Sequence, residues 1–200
     1  MKGIKSMCSR YYIDSDIENE LEKVANNAEQ EFCHKYFTGD IRPTDMVPVI
    51  EKTDHGLKLS TCKWGYLLSK GKNLVINARV ETVLDKPSFQ NGILYHRILI
   101  LASGFYEWNP LKEKNSFTRT DATPLYMAGF CDWFENERRF VILTTAANDS
   151  MIKVHDRMPL TIEKEQMEDW FDNEKVRKIL HQTPTKLKRR AEYEQQSLFG

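Results

Sequence analysis

The run HRILILASGFYEW, residues 96–108, constrains this chain most. It is strongly apolar and strand-like, and Asn109-Pro110 ends it. Its longest unbroken apolar part, Ile98 to Ala102, falls far short of the roughly 20 residues that cross a bilayer. A strand of this kind needs neighbours, and the sequence supplies them. Residues 8–13 read as a short strand. His55-Gly56 reads as a turn between two strands, the second being LKLSTCKWGYL. NLVINARV reads as one strand ending near Asn77. PLYMAGFCDWF and RRFVILTTAA form a hairpin around ENER. Helical spacing runs from Asp14 or Asp16 to Phe32 and again from Ile162 to Phe171, and Asn148-Asp149 offers a further short start. Pro43 and Pro48 break up the segment between. Strands of mixed length with helices around them predict an α+β single domain with a curved, barrel-like mixed β-sheet flanked by helices. The domain is expected over residues 8–185, behind a leader of residues 1–7 and ahead of a polar tail, 186–200, that is frayed or loosely docked.

Two hundred residues suffice for one well-buried core. Basic and acidic residues balance at 29 each, so no global field draws in nucleic acid or membrane, and a polyanion needs a local cluster. Cys8, Cys33, Cys62 and Cys131 form no CxxC pair and match no zinc spacing. They read as reduced thiols. Lys2 and Lys5 are followed by no apolar stretch, so no signal peptide is expected. The expected location is the cytoplasm or the nucleoid within it. Nothing demands more than a monomer, and no metal or organic cofactor is implied.

Four segments place polar groups in apolar, strand-end settings: MCSR (7–10), NARVET (77–82), GFYEW (104–108) and HDRMP (155–159). Each has an ordinary reading. Cys8 by itself is a small hydrophobe. Asn77 by itself ends a strand. Glu107, between Tyr106 and Trp108, faces either solvent or a polar pocket, and a single Glu defaults to solvent. HDRMP by itself is a polar loop in which Asp156 and Arg157 pair. The run KLKRR (186–190) is a solvated face. Arg10, Arg79 and Arg157 each follow Cys8, Asn77 or His155 by two residues. In extended chain that spacing puts each arginine on its partner's side. Three guanidiniums round one pocket would suit phosphate. Cys, Asn, Glu and His together are the residue types of a nucleophile with hydrogen-bonding and proton-shuttling support.

In this order and spacing, MCSRY, the Pro43-Thr44 loop, WGY, INARVET, PSF followed by HRILILASGFYEW, TPLYMAGFCDWF, FVILTTAAN and HDRMP resemble the SOS-response-associated peptidase (SRAP) family. The resemblance runs from Met7 to about Trp170. It implies the fold of that family and recognition of abasic sites in single-stranded DNA. It further implies that Cys8, exposed as residue one once Met7 is removed, is the reactive group. The α-amine would attack the aldehyde of the ring-opened sugar, and the thiol would then close a thiazolidine. By the same resemblance His155 shuttles protons, Glu107 orients the amine, and Asn77 holds the ring. Arg10, Arg79 and Arg157 grip phosphates, and Pro43 and Trp64 wedge or stack against bases.

That chemistry is closed while residues 1–7 are attached, because the nitrogen of Cys8 is then an amide with a delocalised lone pair. The leader is expected to be absent from the working form, most simply because the start lies at Met7. Two other readings stay open. The chain is a self-processing peptidase that removes its own leader, or a module that binds single-stranded DNA without a covalent step.

Overall fold

The computed structural model describes residues 8–17, 20, 38–68 and 73–192. The leader and most of the helix expected over 14–32 lie outside the described residues. The chain enters as β1 (Arg10–Ile13), makes a 3-10 turn at Ser15–Ile17, and returns in β2 (Gly39–Ile41). There follow β3 (Met46–Thr53), β4 (Gly56–Trp64), β5 (Tyr66–Leu68), β6 (Asn73–Val75) and β7 (Asn77–Arg79). Helix α1 (Pro87–Tyr95) leads into β8 (Arg97–Ala102), β9 (Gly104–Trp108), β10 (Lys114–Arg119), β11 (Leu125–Phe134) and β12 (Glu137–Ala146). After β13 (Arg157–Pro159) and β14 (Thr161–Ile162) come a 3-10 turn at Lys164–Gln166, α2 (Met167–Phe171), α3 (Val176–Leu180) and β15 (Leu187–Ala191).

The strands β12, β4, β3, β8 and β11 pair in that order, and β11 pairs back onto β12, closing a five-stranded barrel. β7 and β13 extend it along β12, and β14 extends it along β11. The pairings of β12 with β4 and β7 are parallel and the rest of the barrel is antiparallel, which makes the sheet mixed. A second sheet, β15-β10-β9-β1-β2, stands beside it. Of the barrel strands, β8, β11 and β12 are buried through most of their length, β8 throughout, so they read as apolar runs rather than alternation. Trp64 and Phe140 are register partners and stack at 6.2 Å between ring centroids. Arg97, 7% exposed, donates to the carbonyls of Ile93 and Leu94 at the end of α1 and to that of Phe171 at the end of α2. One cation thereby satisfies carbonyls at two helix C-termini.

The α+β, barrel-like expectation stands. Several local expectations give way. HRILILASGFYEW is two strands, in two different sheets, with a bend at Ser103. The crossing is possible because residue 104 lacks a Cβ: one would meet the Phe117 carbonyl oxygen and the Tyr12 hydroxyl at 2.6 Å. NLVINARV is likewise two strands. It breaks at Ile76, whose carbonyl accepts from Trp64 Nε1 (3.0 Å) and from the Ile142 N–H (3.1 Å). Asn77 therefore begins a strand. Asn148 starts a succession of turns and not a helix, its Oδ1 accepting from the N–H and hydroxyl of Ser150. The expected loose tail holds a strand: Leu187–Ala191 pairs with β10 over five residues. Helix α1, unforeseen, opens on Pro87, whose fixed φ suits a first turn.

Candidate functional site

Cys8 sits just ahead of β1. Its φ is +47°, the left-handed region that L side chains avoid. That one dihedral undoes the alternation of the strand. Arg10 and Tyr12 face outward, yet Cys8 turns inward and is fully buried. The expectation that Arg10 shares the side of Cys8 fails here, because the local chain is not extended.

Glu107 is reached from the other strand of the pair. In β9 Phe105 and Glu107 face in, while Tyr106 and Trp108 face out. Glu107 is 6% exposed, so the default of a solvent-facing carboxylate is also overturned. Its Oε2 accepts the N–H of Cys8 at 2.8 Å and its Oε1 accepts that of Trp108 at 3.2 Å. Burial, and secondarily the charge of Glu107, push the Cys8 thiol well above its usual range. At neutral pH it is a thiol rather than a thiolate. The pocket thus pairs a neutral Sγ–H with a carboxylate that already holds the adjacent nitrogen. Asn115, 1% exposed, is the register partner of Glu107, and its Oδ1 accepts from Arg189 Nε at 2.8 Å.

Tyr11 and Trp64 connect this pocket to the barrel. Their rings lie 5.3 Å apart, both fully buried. Trp64 in turn donates to the carbonyl of Ile76, the residue before Asn77. Trp64 therefore has no ring face to offer a base. It is a strut between β1 and the start of β7. Pro43 is half-buried in the turn from Arg42 to Asp45, closed by Asp45 N–H on the Arg42 carbonyl at 3.0 Å.

β7 sets Asn77 and Arg79 on one face, with Ala78 on the other. They pair with Ile142 and Thr144 of β12, and β13 runs along the continuation of β12, pairing Arg157 with Ala146. The segments NARVET and HDRMP thus meet across one strand. The bond that joins them is a fork: Arg157 donates Nη1 and Nη2 to the two carboxylate oxygens of Glu81, at 2.6 and 2.9 Å, and Nη2 also to the Thr144 carbonyl at 2.5 Å. Glu81 was not singled out by sequence, although it stands inside NARVET. The Arg157 hydrogen bond holds its carboxyl below the usual range.

His155 makes its bonds within its own loop. Nδ1 accepts the Arg157 N–H at 3.0 Å and also lies 3.0 Å from Asp156 Oδ1. The two contacts compete for one nitrogen. The backbone bond is fixed by the chain, whereas the Asp156 side chain is 81% exposed and screened by water. The neutral ring then carries its proton on Nε2. Within the expected set, Cys8 and Glu107 are in direct contact. Arg10 faces outward, its guanidinium 5.6 Å from the Trp108 ring centre and 3.5 Å from Asp40. Among the described residues no group of His, Cys, Asp and Glu is placed to hold a metal ion, and no helix is long and apolar enough to cross a membrane.

The chain is similar to curated proteins along most of its length. It is 28% identical over 186 residues to the abasic site processing protein YedK of Escherichia coli, covering 84% of this chain and 81% of that one. It is 27% identical over 183 residues to the abasic site processing protein YoqW of Bacillus subtilis, covering 83% and 80%. Among solved structures, a phage-related protein of Bordetella bronchiseptica superposes with a TM-score of 0.75 at 25% identity, over 92% of this chain and 93% of that one. A protein of Bacteroides thetaiotaomicron does so at 0.75 and 19% identity, over 92% and 91%. The family described as SOS response associated peptidase (SRAP) matches residues 7–195, nearly the whole sequence, and the chain belongs to that family.

Proposed function

We propose that this protein recognises abasic sites in single-stranded DNA and captures them covalently through Cys8, once Cys8 is residue one. The observation that carries the reading is the buried 2.8 Å bond from the Cys8 nitrogen to Glu107 Oε2. The nitrogen that must become the nucleophile is already held by the carboxylate that can take its proton. Relatives named for abasic site processing support the substrate class.

The chemistry balances without a co-reactant. The α-amine adds to the aldehyde carbon of the opened sugar, and the carbinolamine loses water to give an imine. Sγ then adds to the imine carbon while its proton passes to the nitrogen, closing the five-membered ring. An α-amine of pKa about 8 is partly free near neutrality. The raised thiol pKa keeps sulfur protonated until the imine is formed, so Glu107 serves as the base at closure. His155 Nε2, a donor in the neutral ring, supplies protons during sugar opening. Asn77 and Arg79, on one face of β7, hold the ring and a flanking phosphate. Arg157 acts by holding HDRMP against β7 through Glu81.

The test is a denaturing gel of protein started at Met7, incubated with an abasic single-stranded oligonucleotide. A slowed, heat-stable band that disappears in Cys8→Ser is expected. Absence of the band with Cys8 confirmed as the first residue sinks the reading.

A second reading, removal of the leader by the chain itself, is favoured by the φ of +47° at Cys8. A non-glycine residue held there stores about 1 kcal/mol beside the Met7–Cys8 bond. Intact mass of the full chain and of Glu107→Ala decides it: an identical leader on both removes the support.

A further inference from the structure

The outer face of the second sheet is unusual for a solvent-facing surface. Arg190, Ser116, Tyr106 and Arg10 stand in one register row across β15, β10, β9 and β1. Tyr12, also outward, stacks on Tyr106 with ring centres 5.0 Å apart and planes 25° from parallel. Lys114 Nζ sits 4.1 Å from the Tyr106 ring centre. Beside this stack lies a hollow of roughly 280 Å³ lined by Tyr106, Lys114, Ser116 and Arg190, with Ala191 and Glu192 at its edge. Arg10, Lys114, Lys188 and Arg190 set cations on this face against the carboxylates of Asp40 and Glu192, which pair with Arg10 (3.5 Å) and Lys114 (3.2 Å).

We infer that this face is a second leg of the single-strand path, on which a base rests against the Tyr12–Tyr106 pair and phosphates meet Lys114 and Arg190. Three features carry it together. Stacked, half-buried tyrosines give a base a flat apolar surface that every base can use. Cations interleaved with rings supply the local cluster of phosphate partners that a chain of balanced charge needs in order to hold a polyanion. The row also reaches the end of β1 at which the chain turns inward to the pocket: Arg10 is two residues from Cys8, and Trp108, under Arg10, follows Glu107, although Cys8 and Glu107 point to the opposite face. Three strand spacings carry the row about 14 Å away from that end. A strand whose abasic residue enters the Cys8 pocket would round the end of β1 at Arg10 and lie along this outer face. The inference rests on the pocket being a single-strand site, but it concerns undamaged nucleotides beside the lesion.

The experiment is fluorescence anisotropy of the full chain with an intact, abasic-free single-stranded oligonucleotide, titrated at several salt concentrations. No covalent step enters it. Tyr12→Ala is expected to weaken binding at least about fivefold, and Tyr12→Phe to bind like wild type, because the ring carries the effect. Lys114→Ala and Arg190→Ala each lower the slope of log affinity against log salt by about 0.7. These two changes, at half-buried Lys114 and exposed Arg190, decide the matter should Tyr12→Ala fail to fold. Slopes equal to that of wild type in both, or no binding of the intact strand by wild type at low salt, overturn the inference. The crosslinking gel reports on the pocket separately. A crosslink with wild-type slopes removes this face and keeps the pocket reading, whereas altered slopes without a crosslink do the reverse.

Discussion

The nitrogen of Cys8 and Oε2 of Glu107 are 2.8 Å apart although 99 residues separate them in the chain. Antiparallel pairing of β1 with β9, Arg10 opposite Tyr106, makes the meeting possible, and the φ of +47° at Cys8 completes it. A carboxylate here can hold a nitrogen and accept a proton, and an amide can only hold. Glu107→Gln keeps the shape and removes the base. Protein started at Met7 and carrying that change is expected to crosslink about 100-fold more slowly or worse, with little loss of affinity for the strand. Time courses on denaturing gels against anisotropy separate the two. Loss of affinity with an unchanged rate would make Glu107 a binding group only.

Arg157 and Glu81 form the bond that ties HDRMP to β7. Arg157 is 13% exposed at its side chain and Glu81 is 50% exposed, so water screens the pair and its worth is about 0.5–1 kcal/mol. The larger effect should be on geometry. Glu81→Gln is expected to shift the melting temperature little and to slow crosslinking, because His155 takes its orientation from the Arg157 N–H. Arg157→Lys cannot fork and should behave similarly. If Glu81→Gln leaves the rate at wild type, the bond is merely structural.

How much of this was legible follows from what each residue depends on. Barrel strands such as β8 and β11 announce themselves through long apolar runs, because burial on both faces is a local property of composition. The direction of Glu107 did not, because alternation gives two faces and only the partner strands say which is inside. Trp64 reads as a base-stacking residue beside a glycine, yet Tyr11 and Phe140 cover it, and both come from distant segments. Breaks at Ser103 and Ile76 depend on which sheet each half joins. The strand Leu187–Ala191 hid in a charged run because an edge strand with exposed lysine and arginine looks like a solvated tail. The four candidate segments stand out through motif spacing, which does not say how their residues meet.

Trp64 offers a sharp test of its role as a strut. Trp64→Phe keeps a ring against Tyr11 and Phe140 but leaves the Ile76 carbonyl with the Ile142 N–H alone, a loss of about 0.5–1.5 kcal/mol. Trp64→Ala should cost about 3–5 kcal/mol, close to the whole stability of many domains. Urea unfolding followed by tyrosine and remaining tryptophan fluorescence measures both. Folded Trp64→Phe is expected to bind single strands as wild type does. A loss of affinity without a loss of stability would return the ring to the interface.

Thr44 has a φ of +80° behind Pro43, and Asp45 N–H closes on the Arg42 carbonyl. That is the arrangement of a type II turn, whose third position favours glycine. A β-branched residue is strained there. Relief of the strain is offset by the greater freedom of glycine in the unfolded chain. Thr44→Gly should therefore stabilise by no more than about 1 kcal/mol. A fall in melting temperature would show that the threonine side chain contributes more than its backbone costs.

Arg138 of β12 forks onto Glu51 of β3, with Lys58 alongside and Arg138 Nη2 3.1 Å from the Cys131 sulfur. Burial alone would raise the Glu51 carboxyl; Arg138 and Lys58 outweigh it and hold the group below its usual range. A carboxyl whose folded pKa lies below its unfolded value, about 4.3 for glutamate, stabilises the fold fully above that value. The contribution is lost as pH falls through the folded pKa. Side chains 13% and 22% exposed make the pair worth more than a surface bridge. Glu51→Gln is expected to cost about 2 kcal/mol at pH 7 and progressively less below pH 4. Urea midpoints of both proteins between pH 3 and pH 7 should converge at the acid end. A deficit that stays constant across that range would mean that packing around Glu51, and not its charge, is what it contributes.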